Sequence, residues 1–319
     1  MLKDIDLSGV GKTKLKEIHK MESMVSSGHR ACQGCGEVLA MGMVTRVAGP
    51  DTIVCNATGC MEIISSPYPQ TAWKVPWIHV AFENAGAVAS GVEAAIKALH
   101  RKGKVSSKPN ILCFGGDGAT ADIGFGSLSG AMERGHNLLY VCLDNEAYMN
   151  TGIQRSSSTP YGASTTTSPC GTESIGQHTQ KKNMPRIIAE HGVPYVATAS
   201  PSHPTDLMDK VAKALAVDGP AYLHIYSPCP TGWGSKGEKS IEIAKLAVET
   251  NLFPLYEVVG GRFGFTKKIK KVKPIGDYLK LQRRFRHLTE KEIGFIQQTV
   301  EDNYEELERF CQATAKCEE

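Results

Sequence analysis

One stretch, residues 111–155, constrains the fold of this chain more than any other. It opens with a short apolar run, Ile111–Phe114, of the kind that forms a buried strand. The turn Gly115–Gly118 follows, and its glycines let the backbone pass close to a ligand. Asp122–Arg134 then has apolar residues at roughly helical spacing, and a second apolar run, Asn137–Leu143, comes next. Strand, turn, helix and strand in this order predict a βαβ crossover in a parallel sheet.

Both strands of this unit are followed by polar side chains. Asp117 follows the first strand and Asn145 follows the second. Because the carboxyl ends of parallel strands open on the same edge of a sheet, where ligands bind, we expect these side chains to lie close together. A carboxylate and an amide oxygen can hold Mg²⁺, which takes few protein ligands and the rest from phosphates. The glycines and a helix N-terminus would offer N–H groups to the same phosphates.

The spacing of these residues resembles a known motif. Gly-Asp-Gly at 116–118, followed by a helix, a strand and Asn145, is similar to the diphosphate-binding motif of thiamine diphosphate (TPP) enzymes. That motif implies that Mg²⁺ is held by the aspartate, the asparagine and a backbone carbonyl two residues further on. In this sequence those positions are Asp117, Asn145 and Ala147. The alternative is an ordinary strand–helix turn in which an aspartate caps the helix.

Composition and charge exclude several classes of protein. The chain has 319 residues and a net charge of only +3, which does not argue for binding to nucleic acid or to a membrane. No apolar run approaches the length needed to cross a bilayer. The N-terminal sequence MLKDIDLSGVGKTKLKEIHK lacks the apolar core of a signal peptide. We therefore expect a cytoplasmic protein.

Ten cysteines are many for a chain expected in a reducing compartment, where cysteines are more often metal ligands than disulfide partners. Cys32 and Cys35 form a CxxC pair in front of a helical pattern, and Cys60 follows a short strand. Tetrahedral thiolate sites, whether zinc or iron–sulfur, need four ligands. The best fourth candidate is Cys229, which also follows a strand, and the rival is Cys170 in a Ser/Thr-rich loop.

The spacing of these cysteines does not decide between zinc and an iron–sulfur cluster. A thiolate site on the same sheet edge as a diphosphate suggests electron transfer and therefore a cluster. Three other cysteines, Cys55, Cys113 and Cys142, lie in apolar runs, and we expect them to be small residues of the core.

The alternation of strands and helices defines the domain organisation. It runs over residues 28–230, which we assign to one α/β domain with a parallel sheet and helices on both faces. Residues 1–27 form a polar lead-in, either a surface arm over a partner subunit or a disordered segment. Residues 231–319 change character, with a basic run in Phe263–Lys273 whose pattern also suits an edge strand, and a charged helix at Thr289–Ala315. We expect this C-terminal extension to contact a neighbouring subunit.

Taken together, the motifs resemble those of one family. The chain is similar, from about residue 28 to the tail, to the TPP-binding (β) subunit of pyruvate:ferredoxin oxidoreductase, and more broadly of 2-oxoacid:ferredoxin oxidoreductases. The segments that carry the resemblance are HRACQGCGE, NATGCMEI, WKVPWIHVAFENAGA, GGDGATADIGFG, LDNEAYMNTGIQRSSSTP, SPCPTGWG and LKLQRRFRHL.

The resemblance implies two cofactor sites. A [4Fe–4S] cluster beside the TPP would be held by Cys32, Cys35, Cys60 and Cys229. Asn150 would face the reacting carbon and the substrate, and it is the expected catalytic residue. The ten residues implied to contact TPP or its Mg²⁺ are Glu37, Cys60, Gly116, Asp117, Gly118, Ala119, Asn145, Ala147, Tyr148 and Asn150.

The resemblance also implies an activity and partners. Pyruvate would be decarboxylated oxidatively to acetyl-CoA and CO₂, and the electrons would leave through the cluster to ferredoxin. An α-type partner subunit would supply the carboxylate that activates TPP and the residues that hold the substrate carboxylate. This chain has no CxxCxxC run for further clusters, so a ferredoxin-like subunit or domain is a further expected partner. The chain would then work only in a hetero-oligomer.

Three other interpretations of the motifs stay open. The same machinery would act on another 2-oxoacid, or on oxalate without coenzyme A, since the partner chain largely sets the substrate pocket. A cluster-free TPP decarboxylase or synthase would leave the CxxC pair and Cys60 unexplained. A zinc-stabilised scaffold or binding subunit would leave Asp117 and Asn145 without a purpose.

Overall fold

The strands of the chain form a single mostly parallel sheet in the computed structural model, which describes residues 4–67 and 71–315. The strands are β1 (Thr52–Ala57), β2 (Trp77–Val80), β3 (Asn110–Gly116), β4 (Leu139–Asp144), β5 (Tyr195–Ala199), β6 (Ala221–Tyr226), β7 (Leu255–Val259) and β8 (Arg262–Lys267). Their order across the sheet is β2-β1-β3-β4-β6-β5-β7-β8. Strands β1 to β6 pair in parallel, whereas β7 and β8 are antiparallel. The predicted parallel α/β sheet is confirmed, with an antiparallel edge added.

Helices cover both faces of this sheet, as predicted. The helices are α1 (Gly36–Ala48), α2 (Cys60–Ser65), α3 (Ala85–Arg101), α4 (Asp117–Ala121), α5 (Phe125–Glu133), α6 (Met184–Ala189), α7 (Pro204–Ala216), α8 (Pro230–Trp233), α9 (Ser240–Glu249), α10 (Gly276–Leu279) and α11 (Glu290–Thr314). Apolar residues of α1 and α7 pack on one face, and those of α3, α5 and α6 pack on the other. In the described part of the chain, no helix has the length and apolar character to cross a membrane.

Side chains of the central strand β3 alternate between the two layers. Leu112 and Phe114 pack with α1 and α7, whereas Ile111 and Cys113 pack with the opposite layer. Because both faces of a parallel strand are buried, its sequence is a nearly continuous apolar run. The other two cysteines of apolar runs, like Cys113, are fully buried core residues, as expected.

The predicted strand–helix–strand unit is present, but its helix is divided. The sequence predicts one helix over Asp122–Arg134, whereas the structure has α4 and α5, and α4 already begins at Asp117. Asp122 leaves the helical conformation, with φ −115° and ψ −100°, and its Oδ2 accepts a hydrogen bond from the backbone N–H of Ser157 at 3.0 Å. Gly124 lies so close to the carbonyl of Ala119 that a Cβ there would come within 2.1 Å of the oxygen. The break between the two helices therefore brings the start of α5 close to the backbone of α4.

The two terminal segments pack against the same sheet. Residues 4–27 place Ile5, Leu7 and Ile18 against the α1–α7 layer. The C-terminal extension adds β7 and β8, and β8 is the edge strand predicted in the basic run. The long helix α11 lies on β8, with the rings of Phe263 and Phe310 5.4 Å apart. Contact of this extension with a neighbouring subunit stays a prediction.

The chain order of the strands creates a crevice at one edge. From β1 the chain goes first to β2 on one side and then crosses to β3 on the other side. The carboxyl ends of strands on either side of such a reversal open into a crevice, which is where ligands of α/β sheets bind. This is the edge that carries the sequence motifs.

Candidate functional site

A cleft opens at the carboxyl ends of β1, β3 and β4. It is lined by all ten residues that the resemblance implies for TPP and Mg²⁺. The lining residues that the sequence analysis missed are Thr58, Gly59, Phe82, Met149 and Thr151. Each of them lies inside or directly beside one of the resembling segments, so membership of the segments is the signal that identifies them.

Asp117 lies at the base of this cleft as the first residue of α4. Its side chain is 1% exposed, and its Oδ2 accepts a hydrogen bond from the hydroxyl of Ser156. Burial, with a further contribution from the nearby Asp144 carboxylate, raises the pKa of Asp117 well above its usual value. A carboxylate in such surroundings gains from a cation bound beside it.

Asn145 and Ala147 lie opposite Asp117, in the loop that follows β4. The side-chain Nδ2 of Asn145 donates to Oε1 of Glu37 at 2.5 Å, so that its Oδ1 is the amide atom that could face a cation. The backbone N–H of Ala147 approaches that same Oδ1 at 3.4 Å. Asn145 is thus oriented from both ends of its amide, as a metal-binding side chain requires.

Glu37, on the first turn of α1, is a buried carboxyl with an unpaired oxygen. It is 3% exposed, and its Oε2 has no hydrogen-bond partner among the described residues. Burial raises the pKa of Glu37 to about 8, against the opposing effect of the Asn145 hydrogen bond. Because buried polar atoms are nearly always paired, this oxygen is suited to a hydrogen-bond donor of a molecule bound in the cleft.

Gly118 lies beneath the ring of Tyr148, where no side chain fits. A Cβ at Gly118 would come within 2.2 Å of the Tyr148 ring, and the Tyr148 hydroxyl donates to the Gly118 carbonyl at 3.2 Å. Gly116, at the end of β3, instead borders open space. The glycines therefore form a shallow cradle with backbone N–H groups at the start of α4, as a diphosphate needs.

A network of buried charges lies behind the cleft, around Asp144. Asp144 is fully buried, and its Oδ2 accepts hydrogen bonds from Lys181 Nζ at 2.9 Å and His224 Nε2 at 2.8 Å. Burial alone would raise the pKa of Asp144, but Lys181 and His224 outweigh it and hold that pKa below its usual value. Asp144 already has its counter-charges within the protein.

The network continues through Glu146, which lies between the two candidate Mg²⁺ ligands of the β4 loop. Glu146 accepts hydrogen bonds from Lys181 at 3.0 Å and from Arg284 at 2.5 Å. The guanidinium of Arg284 lies 4.0 Å above the ring of Trp233, whose Nε1 donates to the carbonyl of Asn145 at 2.8 Å. Trp233 and Arg284 belong to resembling segments, whereas no sequence pattern marks Lys181.

Three of the four candidate cluster cysteines stand at the start of a helix, and one of them, Cys60, lines the cleft. Cys35 precedes α1, Cys60 opens α2 and Cys229 precedes α8. Burial raises the pKa of Cys35 to about 12 and that of Cys229 to about 11. The pKa of Cys60 is raised first by burial, then by Glu37, and then by the thiols of Cys229, Cys35 and Cys32. The four thiols therefore share one neighbourhood.

The loops that carry these cysteines are tied together by backbone contacts. The N–H of Gly36 donates to the carbonyl of Pro228 at 2.9 Å, which links the CxxC loop to the Cys229 loop. Cys170 lies in a different loop, where its backbone pairs with Ile175. Within residues 4–67 and 71–315, no three His, Cys, Asp or Glu side chains are close enough together to hold a single metal ion.

Known proteins are similar to this chain over most of its length. The family model described as the thiamine pyrophosphate enzyme C-terminal TPP-binding domain matches residues 54–225. Pyruvate synthase subunit PorB of Methanocaldococcus jannaschii is 57% identical over 283 residues, covering 88% of this chain and 95% of that protein. The PorB subunit of Thermotoga maritima is 47% identical over 306 residues, covering 93% and 94%.

Two further proteins extend the comparison. Ketoisovalerate oxidoreductase subunit VorB of Pyrococcus abyssi is 45% identical over 288 residues, covering 90% of this chain and 93% of that protein. A solved structure of 2-oxoglutarate:ferredoxin oxidoreductase from Magnetococcus marinus has a TM-score of 0.55 at 22% identity, covering 74% of this chain and 82% of that chain, which supports the fold. The chain therefore belongs to the 2-oxoacid:ferredoxin oxidoreductase family, as a subunit that contains the TPP-binding domain.

Proposed function

We propose that this chain is the TPP- and [4Fe–4S]-binding subunit of a pyruvate:ferredoxin oxidoreductase. The complex would convert pyruvate and coenzyme A to acetyl-CoA and CO₂ and pass the electrons to ferredoxin. One observation carries the proposal: Cys60 both lines the cleft and shares a neighbourhood with the other three candidate cluster cysteines. In this proposal the site for the carbon chemistry and the site for the electrons would meet at Cys60.

The residues of the cleft suit Mg²⁺ and TPP. Asp117, Asn145 and the carbonyl of Ala147 would hold the ion, and the N–H groups from Gly116 to Ala119 would bind the diphosphate. The unpaired Oε2 of Glu37 would accept a hydrogen bond from the cofactor. When bound, TPP supplies the electron sink for decarboxylation of a 2-oxoacid. Asn150 is exposed at the mouth of the cleft, where a substrate would enter.

We favour a cluster over a zinc ion at the four cysteines because Cys60 lies in the cleft proposed for the carbon chemistry, where electrons would have to leave. A zinc ion gathers four sulfurs at about 2.3 Å, whereas a [4Fe–4S] cluster spreads its four thiolates over different irons. Burial raises the pKa of the Cys35 and Cys229 thiols, so binding of iron would have to drive the release of their protons.

Partner subunits complete the proposed enzyme. Two large apolar side chains, Ile63 in α2 and Ile123 between α4 and α5, are 50% and 58% exposed directly beside cleft segments. Such residues mark a surface that a partner would cover. We assign this surface to the α-type subunit that would supply the activating carboxylate and the substrate-binding residues. A ferredoxin-like subunit or domain would carry the electrons onward. We place the complex in the cytoplasm, where thiols stay reduced.

A second candidate function has the same machinery with a different substrate. The 45% identity to ketoisovalerate oxidoreductase subunit VorB favours a branched-chain 2-oxoacid as this second substrate. Oxalate, without coenzyme A, is the third candidate. A cluster-free TPP enzyme would leave the grouping of the four cysteines unused, and a zinc-stabilised scaffold would leave the cleft unused, so both are less favoured.

The test uses the native complex, purified anaerobically. Pyruvate, 2-oxoisovalerate, 2-oxoglutarate and oxalate are added in turn, with and without coenzyme A, and reduction of a low-potential dye is followed. Coenzyme A-dependent reduction with pyruvate supports the proposal. Faster reduction with 2-oxoisovalerate, or reduction with oxalate alone, would change the assigned substrate and leave the proposed cofactor site unchanged. Reduction with none of them, in a complex that contains iron and TPP, refutes the substrate class.

The ligand set of the cluster has its own test. Cys229→Ala should lower the iron content of the complex by about four atoms per chain, the content of one [4Fe–4S] cluster. Cys170→Ala is the matched control and should leave the iron content unchanged. Loss of iron in the Cys170 variant, with full iron in the Cys229 variant, would reverse the assignment of the fourth ligand.

A further inference from the structure

Arg284 is a buried arginine of the C-terminal extension that lies outside the cleft and contacts both the β4 loop, which lines the cleft, and the segment after Cys229. Its side chain is about as buried as the core residues around it, with 6% of the residue exposed. Its Nε donates to the side-chain oxygen of Gln282 at 3.0 Å, and its Nη2 donates to the hydroxyl of Tyr278 at 3.2 Å. These two contacts fix the plane of the guanidinium independently of Glu146 and Trp233.

The first cleft segment that Arg284 contacts is the loop after β4. Its Nη2 donates to Oε2 of Glu146 at 2.5 Å. Glu146 has φ +68°, a left-handed conformation that non-glycine residues adopt only when their surroundings hold them there. Because Glu146 lies between Asn145 and Ala147, its backbone conformation sets the directions of the Asn145 side chain and of the Ala147 carbonyl. Holding Glu146 therefore holds two of the proposed Mg²⁺ ligands.

The second segment is the short helix that follows Cys229. The Arg284 guanidinium stacks 4.0 Å above the fully buried ring of Trp233. The backbone N–H of Trp233 donates to the carbonyl of Cys229 at 2.9 Å, and its indole N–H donates to the carbonyl of Asn145 at 2.8 Å. The indole thus connects the segment of a proposed cluster ligand to the proposed Mg²⁺ loop, and Arg284 covers one face of it.

We infer that Arg284 is a positioning residue that holds the Mg²⁺ loop and the Cys229 segment in one fixed arrangement, an inference that rests on the proposed function. The alternative is a purely structural counter-ion for Glu146. Against it, Glu146 Oε1 already pairs with Lys181 at 3.0 Å. What arginine adds is a planar group that donates in its plane to Glu146 while its face stacks on Trp233, which a lysine ammonium cannot do.

The test compares Arg284→Lys with Arg286→Lys in the anaerobically purified complex. Arg286 is exposed and lies two positions further along the same segment, so it is a matched control. After removal of bound TPP, the dissociation constant of TPP is measured in Mg²⁺ by titration calorimetry, and the spectrum of the reduced cluster is recorded by electron paramagnetic resonance. Arg284→Lys should raise the dissociation constant about 10- to 100-fold, as other losses of residues behind metal ligands do. It should also alter the cluster spectrum, and Arg286→Lys should change neither.

The outcomes separate this inference from the proposed function. If wild type binds TPP and Arg284→Lys binds it equally well, with an unaltered cluster spectrum, the inference on Arg284 is wrong and the function stands. If the wild-type complex binds no TPP, the proposed function itself is wrong. If Arg284→Lys does not fold, Trp233→Phe decides, since it keeps an aromatic ring beside Arg284 and removes the indole N–H that donates to the Asn145 carbonyl. A TPP affinity in Trp233→Phe equal to that of wild type overturns the inference, and a loss of about tenfold supports it.

Discussion

Asp117 and Asp144 are buried aspartates at the ends of neighbouring strands, and the protein treats them in opposite ways. Asp144 accepts hydrogen bonds from Lys181 and His224, and its pKa is held below the usual value despite burial. Asp117 is just as buried, accepts from the hydroxyl of Ser156, and has a raised pKa. The two carboxyls differ in their supply of positive charge.

This difference in pairing distinguishes Asp144, which stabilises the fold, from Asp117, which lines the cleft. Asp144 faces away from the cleft into the network of Lys181, His224 and Glu146, where its charge is already balanced. Asp117 lines the cleft, and the protein gives it a hydroxyl in place of a cation. We therefore propose that a bound Mg²⁺ would supply positive charge at Asp117, and we assign a structural role to Asp144.

The largest effect on cofactor binding is expected from a substitution of Asp117. Asp117→Asn removes a proposed Mg²⁺ ligand and also removes a buried carboxyl that is costly to ionise. We expect the dissociation constant of TPP in Mg²⁺ to rise at least about 100-fold, more than the loss of a residue behind a ligand causes, while the cofactor-free protein stays as stable as wild type. Titration calorimetry and thermal unfolding measure the two effects. An unchanged TPP affinity would refute the metal assignment.

The second prediction concerns stability at Asp144. Asp144→Asn leaves Lys181 and His224 without their shared carboxylate, and removal of one partner from a buried ion pair costs about 3 kcal/mol or more of unfolding free energy. Denaturant unfolding of the cofactor-free complex measures this loss. Because Asn145 follows Asp144, TPP affinity will also fall, but only the Asp144 variant should lose stability without cofactor. Equal stabilities of the Asp117 and Asp144 variants would contradict the comparison.

The smallest effect on cofactor binding is expected at Ser156, whose hydroxyl donates to Asp117. Ser156→Ala removes the hydroxyl that orients Asp117, and we expect the dissociation constant of TPP to rise about tenfold. Ser158→Ala is the matched control, since Ser158 is equally buried and its hydroxyl has no hydrogen-bond partner among the described residues. Calorimetric titration of both variants with TPP should therefore separate them. If both behave alike, the Ser156 hydroxyl does not position Asp117.

Local sequence patterns predict the core of this molecule well. The strands β3, β4 and β6 are continuous apolar runs, and the polar residues that follow them mark the cleft, so Asp117 and Asn145 are found from the sequence. The pattern is weak where an element is short and partly exposed, as in β2, which has four residues. The strand β7 is missed because its partners β5 and β8 are needed to define it.

Contacts between distant residues are the part that no local pattern encodes. Lys181 and His224 lie 37 and 80 positions from the Asp144 that they neutralise. Arg284 lies 138 positions from Glu146. The sequence shows that Asp117 and Asp144 each stand at the end of an apolar run. It cannot show that Asp144 pairs with a lysine whereas Asp117 pairs with a hydroxyl. That distinction exists only after distant parts of the chain have come together.

The most direct test of the account counts bound Mn²⁺, used in place of Mg²⁺, by electron paramagnetic resonance in the complex stripped of TPP and divalent ions. We predict one tightly bound Mn²⁺ per copy of this chain, which appears only when TPP is added. We also expect this ion to be lost in Asp117→Asn and retained in the Arg286→Lys control. Tight, TPP-dependent Mn²⁺ that survives in Asp117→Asn would contradict the central claim that Asp117 is left uncompensated for a metal ion.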